Sequence, residues 1–354
     1  MKLKASVYVV MAGFFFCFFC QSSEGQESPN GEPSAVEQKR ELDVSFIPSD
    51  FCAAIVVHPA RMAESGVVSK LPIDGLFQKF IGLTGFDIRD VEQLVAFVDP
   101  MPGGNVGAFP AAVIRFSNDV DVLQTLSPRL DDLQEQAFAE RIYWTSKKAG
   151  MAGTLLGIHA IDKRTVVVAP EATLQQMLTV GKVESPLVNR LKKIDLNNDA
   201  VLVMAFEPVR AIFKAIASVE NIDRFPPPIQ PLLSLPQDAK SLTIELSLSG
   251  DSLLTLAFEP NVDVDSEARV TIVAKHVHDL LKDLQENTAQ QLQEQLPPVA
   301  KLVQQLVDGI NVDKENGQVV MRIKRPEDLL ETIEKIAPMV QAQMPGEASP
   351  QPSR

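Results

Sequence analysis

Apolar positions along this chain follow two rhythms, continuous or alternating runs of strand length and stripes at helical spacing. Phe51 to Val57 is a continuous apolar run, β-branched near its end, which reads as a buried strand. Pro59 closes it and suits the first turn of a helix. Leu71 to Leu83 places Ile73, Leu76, Phe77, Phe80 and Ile81 on one helical face, and Gly85 follows as a stop. Val91 to Val98 and Phe109 to Phe116 read as strands joined through the Pro100–Asn105 loop. Asn118 and Asp119 are placed to cap a helix through Leu123, Leu126, Leu130 and Leu133 to about Glu140. Ile142 to Thr145 is a short strand, and Thr154 to Ile161 with Thr165 to Val168 form a hairpin. Pro170 and Glu171 open a helix through Leu174, Met177 and Leu178, and a short helix or connection spans Pro186 to Ile194.

A second series begins at Ala200 to Phe206, a strand, with Pro208 opening a helix through Ile212 and Ile216. Phe225 to Pro228 is a rigid extended link, because proline fixes φ. Ser241 to Leu248 and Ser252 to Phe258 form a hairpin whose Leu242, Ile244, Leu246 and Leu248 share one face. A long helix runs from Asp265 to about Leu292, and Pro298 restarts one through Leu302 and Leu306. Ile310 to Val312 and Gln318 to Ile323 pair across Asn316-Gly317. Pro326 and Glu327 open the last helix.

The two series share anchors in the same order. DFCAAIVVHPAR, Asp50 to Arg61, and DAVLVMAFEPVR, Asp199 to Arg210, each read Asp, eight residues, Pro, any residue, Arg. Pro72-Ile73-x-x-Leu76 matches Pro228-Ile229-x-x-Leu232, Asp90-x-x-x-Leu94 matches Asp238-x-x-x-Leu242, and Pro170-Glu171-x-x-Leu174 matches Pro326-Glu327-x-x-Leu330. The order of these pieces, with the element string β-α-β-β-α-β-β-α, predicts an internal duplication. The expected fold class is α+β, two repeated units, each an antiparallel sheet with helices on one face. The predicted division is a signal peptide at 1–25, a flexible linker at 26–42, repeats at 43–194 and 195–341, and a disordered tail at 342–354. Whether the repeats share one sheet is left open by the pattern.

The segment Pro48-Ser49-Asp50, the two Asp-x8-Pro-x-Arg stretches and this rhythm resemble uncharacterised secreted duplicated α+β proteins of planctomycete-like and related bacteria. The resemblance spans roughly residues 43–340. It implies export and a fold, and no activity.

Export is also predicted by the first 25 residues: Lys2 and Lys4, the apolar run Val7 to Phe19, and Ser23-Glu24-Gly25 before Gln26. The alternatives are an uncleaved anchor, for which the run is short, and a lipoprotein at Cys20, against which Phe19 stands where a small residue belongs. The expected location is periplasmic or extracellular, with no membrane span after cleavage. Cys52 is then the single cysteine, so no internal disulfide can form and a buried inert thiol is expected. The net charge of −13 and pI near 4.9 repel phosphate backbones, which argues against nucleic-acid partners.

Candidate chemistry is sparse. His276 and His278 stand two apart on a predicted helix and cannot share an ion easily; a helix face is the plainer reading. Asn261-x-Asp263-x-Asp265-x-Glu267 begins like a calcium loop, but Ser266 replaces the required glycine and Ile272 the closing glutamate. An N-terminal helix cap is the plainer reading there, as at Asn118-Asp119-Val120-Asp121. Asp50, Arg61, Asp199 and Arg210 could form a paired site, though charges at strand ends usually find local partners. His58 and Glu207 hold matching positions yet differ in chemistry, which argues against one shared catalytic role. Gly103-Gly104-Asn105-Val106-Gly107 lacks the lysine and helix of a phosphate loop, and Tyr143-Trp144 reads as core or groove lining. No catalytic, cofactor-binding or metal-ligating residue is assigned, and no cofactor. The expectation is an exported, non-catalytic structural or binding protein with an unknown protein or apolar small-molecule partner. The alternatives are a carrier of an apolar ligand between sheet and helices, and a hydrolase with an unrecognised site.

Overall fold

A strand that is apolar on both sides needs a neighbour at both edges and cover on both faces. β1, Ala53–Val57, is such a strand, and it lies at the middle of a single sheet. The computed structural model describes residues 42, 44–71, 78, 81, 85–98, 111–128, 130, 132–146, 155–179, 184–218, 230–262 and 265–343. The flanking segments, the Leu71–Leu83 stretch except Leu71, Gln78 and Ile81, the glycine-rich loop and the Phe225–Pro228 link lie outside the described residues.

The strands are β1, β2 (Val91–Val98), β3 (Ala111–Phe116), β4 (Gln134–Phe138), β5 (Arg141–Ser146), β6 (Leu156–Ala160) and β7 (Thr165–Pro170) in the first half. The second half supplies β8 (Ala200–Ala205), β9 (Ala239–Leu246), β10 (Ser252–Pro260), β11 (Ile310–Glu315) and β12 (Gln318–Lys324). All pair antiparallel in one 12-stranded sheet, in the order β11-β12-β10-β9-β8-β1-β2-β3-β7-β6-β5-β4. The point left open by the sequence pattern is thereby answered: the two halves share one sheet. β1 and β8 form the seam, with Ala53 opposite Met204 through to Val57 opposite Ala200. Read outward from the seam, the first half runs β1, β2, β3, β7, β6 and the second β8, β9, β10, β12, β11. The first half then adds the hairpin β5-β4.

The helices are α1 (Pro59–Glu64), α2 (Val122–Leu126), α3 (Glu171–Thr179), α4 (Pro186–Leu191), α5 (Arg210–Ser218), α6 (Gln230–Asp238), α7 (Ser266–Gln295), α8 (Pro297–Asp308) and α9 (Leu329–Gln343). In the first half they lie on both faces, α3 and α4 on one and α2 on the other, which departs from the one-face expectation, while in the second half α6 and α7 lie on one face. On one face Ala54, Val56, Val95, Phe97, Val113, Val167, Val201 and Val203 are buried against Leu174 and Met177 of α3 and Leu187 and Leu191 of α4. On the other, Ala53, Phe258 and Val319 meet Val209, Leu235 of α6, and Val270, Val273 and Ala274 of α7. The reason is the seam itself: its strands present apolar side chains both ways, so a single helical layer would leave half of them in water. Followed into the second half, the first face turns polar, carrying Thr243, Glu245, Thr255, Glu259 and Arg322.

The helix expected from residue 118 to about 140 is also corrected. It spans only Val122–Leu126, capped by Asp121, whose carboxylate accepts from Gln124 N at 2.9 Å. Pro128 follows one residue after Ser127, and Asp132 adopts a φ of 61°, which a helix does not tolerate. Leu126, Leu130 and Leu133 still pack on the apolar cluster around Phe116 and Ile158, reached from a short helix and a loop. Between β8 and β9 there are two helices, α5 and α6, where the pattern gave one. No described helix is long and apolar enough to cross a membrane.

Candidate functional site

Three buried polar side chains meet at one end of the seam. The last seam pair is Val57 with Ala200, and the last pair of β1 with β2 is Val57 with Leu94. One position further, His58 lies between Gln93 and Asp199, all three buried. His58 is fully enclosed, at 0 % exposure, and its backbone N–H donates to Asp199 O at 2.9 Å. Its Nδ1 is 3.0 Å from Asn198 O and its Nε2 is 3.3 Å from the Gln93 amide nitrogen. Nδ1 also lies 3.1 Å from Arg61 Nη2, so both ring nitrogens are engaged within the cluster.

Arg61 completes the cluster from α1. Pro59 starts that helix with a fixed φ, so Arg61 emerges one turn beyond the seam. Its Nε donates to Asp199 Oδ1 at 3.0 Å and its Nη1 to Leu196 O at 3.1 Å, while Nη2 donates to Asn198 O. The second oxygen of Asp199 accepts from Leu248 N at 2.6 Å, beyond the end of β9. One carboxylate thus joins α1, the start of β8 and the turn after β9. These hydrogen bonds all end on another member of the cluster or on main chain. The arrangement can fix geometry.

Glu245 stands next to this cluster, opposite Val201 on β9. Burial pushes its carboxyl above the ordinary value of 4.5, the nearby Asp195 adds to this, and a bond from Asn198 and the charge of Arg322 oppose it. At the far side of the sheet, burial raises the Tyr143 phenol, whose hydroxyl donates to Glu171 and accepts from Gln175. Burial likewise lowers His159, against a bond to Ile142 O.

The other sequence candidates are dispersed. Asp50 is exposed and accepts from Gln176 at 3.1 Å, while Arg210 donates to Pro236 O at 2.9 Å and to Asn261 Oδ1 at 3.1 Å. The four residues therefore make one ion pair, Arg61 with Asp199, and no paired site. Asn261 is held by Arg210 and donates to Gln237 O, Asp263 lies outside the described residues, and Asp265 is exposed. His276 and His278 are half-buried on α7, and no cluster of three metal-ligating side chains occurs among the described residues. Cys52 is buried in the core beneath α6 and α7, and Tyr143 is core while Trp144 is half-buried. Gln93 and Asn198 were missed, because a lone amide carries no pattern until the register sets it beside a buried histidine. A cleft of about 790 Å³ lies between the end of α7, α8 and α9, lined by Gln285, Pro298, Lys301, Gln305 and Lys335. Gln305 Oε1 is buried there without a hydrogen-bond partner among the described residues.

No protein-family model and no curated protein sequence matches this chain. Three crystal forms of TP0453 are similar in structure. Form III aligns with a TM-score of 0.42 at 8% identity over 86% of this chain and 100% of that one. Form I gives 0.40 at 10% over 87% and 100%, and form IV 0.41 at 9% over 84% and 95%. Similarity at that level carries nothing about ligand, activity or compartment. The resemblance to planctomycete-like secreted proteins finds no support in these comparisons.

Proposed function

We propose that this protein is an exported, non-catalytic binding or scaffold protein built from two copies of one α+β unit. The observation that carries the non-catalytic reading is the engagement of His58, Arg61, Gln93 and Asp199 with one another and with main chain. Side chains that could do acid–base work are here holding strands together. The duplication is supported by the seam. Asp50 and Asp199 are 149 positions apart, and so are Ala54 and Val203, which face each other in the ladder. A two-fold axis between those two residues would relate the halves, and the matching strand order outward supports it. Export rests on the N-terminal pattern of basic start, apolar run and small residues. The test is a panel of ester, peptide and glycan substrates assayed with wild type and Asp199→Asn. Turnover that the substitution removes, in a variant that stays folded, overturns the reading.

The carrier reading has one observation of its own. Ile55, Leu202, Ile244, Leu254 and Leu256 belong to the central strands and face the α5–α7 layer, yet each is only half-buried. Apolar side chains at the middle of a sheet are normally enclosed, and an apolar ligand would enclose them. Native mass spectrometry of protein purified without detergent should then show a retained apolar molecule; a bare chain mass removes this reading and leaves the first intact.

A further inference from the structure

Among the described residues the sheet ends at β11 on one side and β4 on the other. β11 finishes with Asp313, Lys314 and Glu315, all exposed, the kind of charged row that keeps edges from pairing. β4 reads Gln134-Glu135-Gln136-Ala137-Phe138, with one charge and no lysine or proline. It belongs to the hairpin that the first half adds beyond β6, where the second half stops at β11.

The turn behind β4 is strained. Ala139 and Glu140 adopt φ values of 48° and 62°, and Asp132, just before the strand, 61°. Two successive left-handed residues make the turn that favours Asn-Gly, which the second half uses at Asn316-Gly317. Alanine and glutamate carry a steric cost there, and such cost clusters where a segment has a task. The turn type also fixes the bonding. Phe138 and Arg141 form the closing hydrogen-bonded pair, so Gln134, Gln136 and Phe138 bond to β5. The N–H and C=O groups of Glu135 and Ala137 therefore point out of the sheet.

We infer that β4 pairs antiparallel with β4 of a second copy, about a two-fold axis at Gln136. In this register Glu135 of each copy faces Ala137 of the other, and both pairs exchange their outward main-chain bonds. Gln136 meets its own counterpart, Phe138 lies against Gln134, and no carboxylate of the strand faces another. The strand thus meets itself with no like charges directly opposed, and this self-compatibility about Gln136 is the ground for a second copy as occupant. Ile142, 50% exposed and opposite Ala137 on β5, extends the apolar strip that the pairing brings together diagonally. Strands of this length bury less than the ~1,200 Å² of a standard stable interface, so the dimer is weak, on the order of micromolar or weaker.

Sedimentation equilibrium of the purified protein from about 1 to about 500 μM reads the association directly. Wild type should show a monomer–dimer equilibrium, with amide exchange at Glu135 and Ala137 slowing as concentration rises. Ala137→Glu opposes carboxylates at both pairs and should lower the association constant about tenfold; Ala137→Lys faces Glu135 and should raise it. Ala137→Pro removes only an outward N–H and should abolish the dimer. If that variant loses its folded circular-dichroism signal, the Glu and Lys variants decide alone. A monomer throughout overturns the inference, as does any order of association other than Lys, wild type, Glu, or a dimer indifferent to these substitutions.

Discussion

The two ends of the β1·β8 seam are made from matching sequence and behave differently. At one end His58, Arg61 and Asp199 close on each other across the seam. At the other, the corresponding Glu207 is exposed, Arg210 turns to the last carbonyls of α6, and Asp50 takes a surface bond from Gln176. The difference begins with one residue. A histidine can be buried neutral with both ring nitrogens satisfied, whereas a glutamate in that place stays in water. Burial of His58 draws Gln93, Arg61 and Asp199 into a shared network; exposure of Glu207 lets its neighbours find separate partners. Repeated sequence therefore does not entail repeated interactions.

Substitution at the two ends should separate them in order. Asp199→Ala leaves Arg61 Nε and Leu248 N without their acceptor and should cost about 3 kcal/mol in urea unfolding, while Asp50→Ala should stay within about 0.5 kcal/mol. Equal losses would mean that the closed end contributes nothing special. His58→Leu keeps the volume but strands the buried Gln93 amide, for an expected loss of about 2 kcal/mol against about 0.5 kcal/mol or less for Glu207→Leu. The two hairpin turns offer a smaller contrast. Gly317, at φ 74° with open space around its Cα, should lose about 1 kcal/mol as Gly317→Ala, whereas Ala139→Gly should gain a few tenths to about 1 kcal/mol.

The smallest effect concerns Glu245 beside the closed end. Its carboxyl is raised chiefly by burial, so the folded state holds this proton more tightly than the unfolded chain. Its stability cost is absent below the ordinary value of 4.5 and grows as pH climbs from there through the raised value. Glu245→Gln should therefore unfold at a higher urea midpoint than wild type near pH 7, with the gap narrowing toward about pH 4. A gap that widens on acidification would reverse the assigned sign.

Local features of the fold were legible in the sequence. Asn316-Gly317 between alternating runs announced β11 and β12, and Pro59, Pro170 and Pro186 marked helix starts at or within a residue of where they occur. β4 was not legible: Leu123, Leu126, Leu130 and Leu133 keep helical spacing, and only the helix stop at Ser127-Pro128 shows that the later ones reach the same apolar cluster from a loop. The candidate site was half legible. Asp199 and Arg61 stood out as repeated residues, but their pairing with each other spans 138 positions and depends on a seam that no local pattern encodes. Gln93 enters only because the register of β2 against β1 sets it beside His58.

The seam has a consequence for how the chain matures. β1 is the first strand of the sheet to leave the ribosome and the one that ends in its middle, and its partner β8 starts 147 positions after it, at Ala200 against Ala53. Until that partner emerges, one flank of β1 stays bare and apolar on both sides. Newborn chains stalled before Ala200 would tend to stick to one another through the contact that later closes each molecule on itself. Synthesis rate and a holding chaperone, rather than final stability, would then set the yield of this protein.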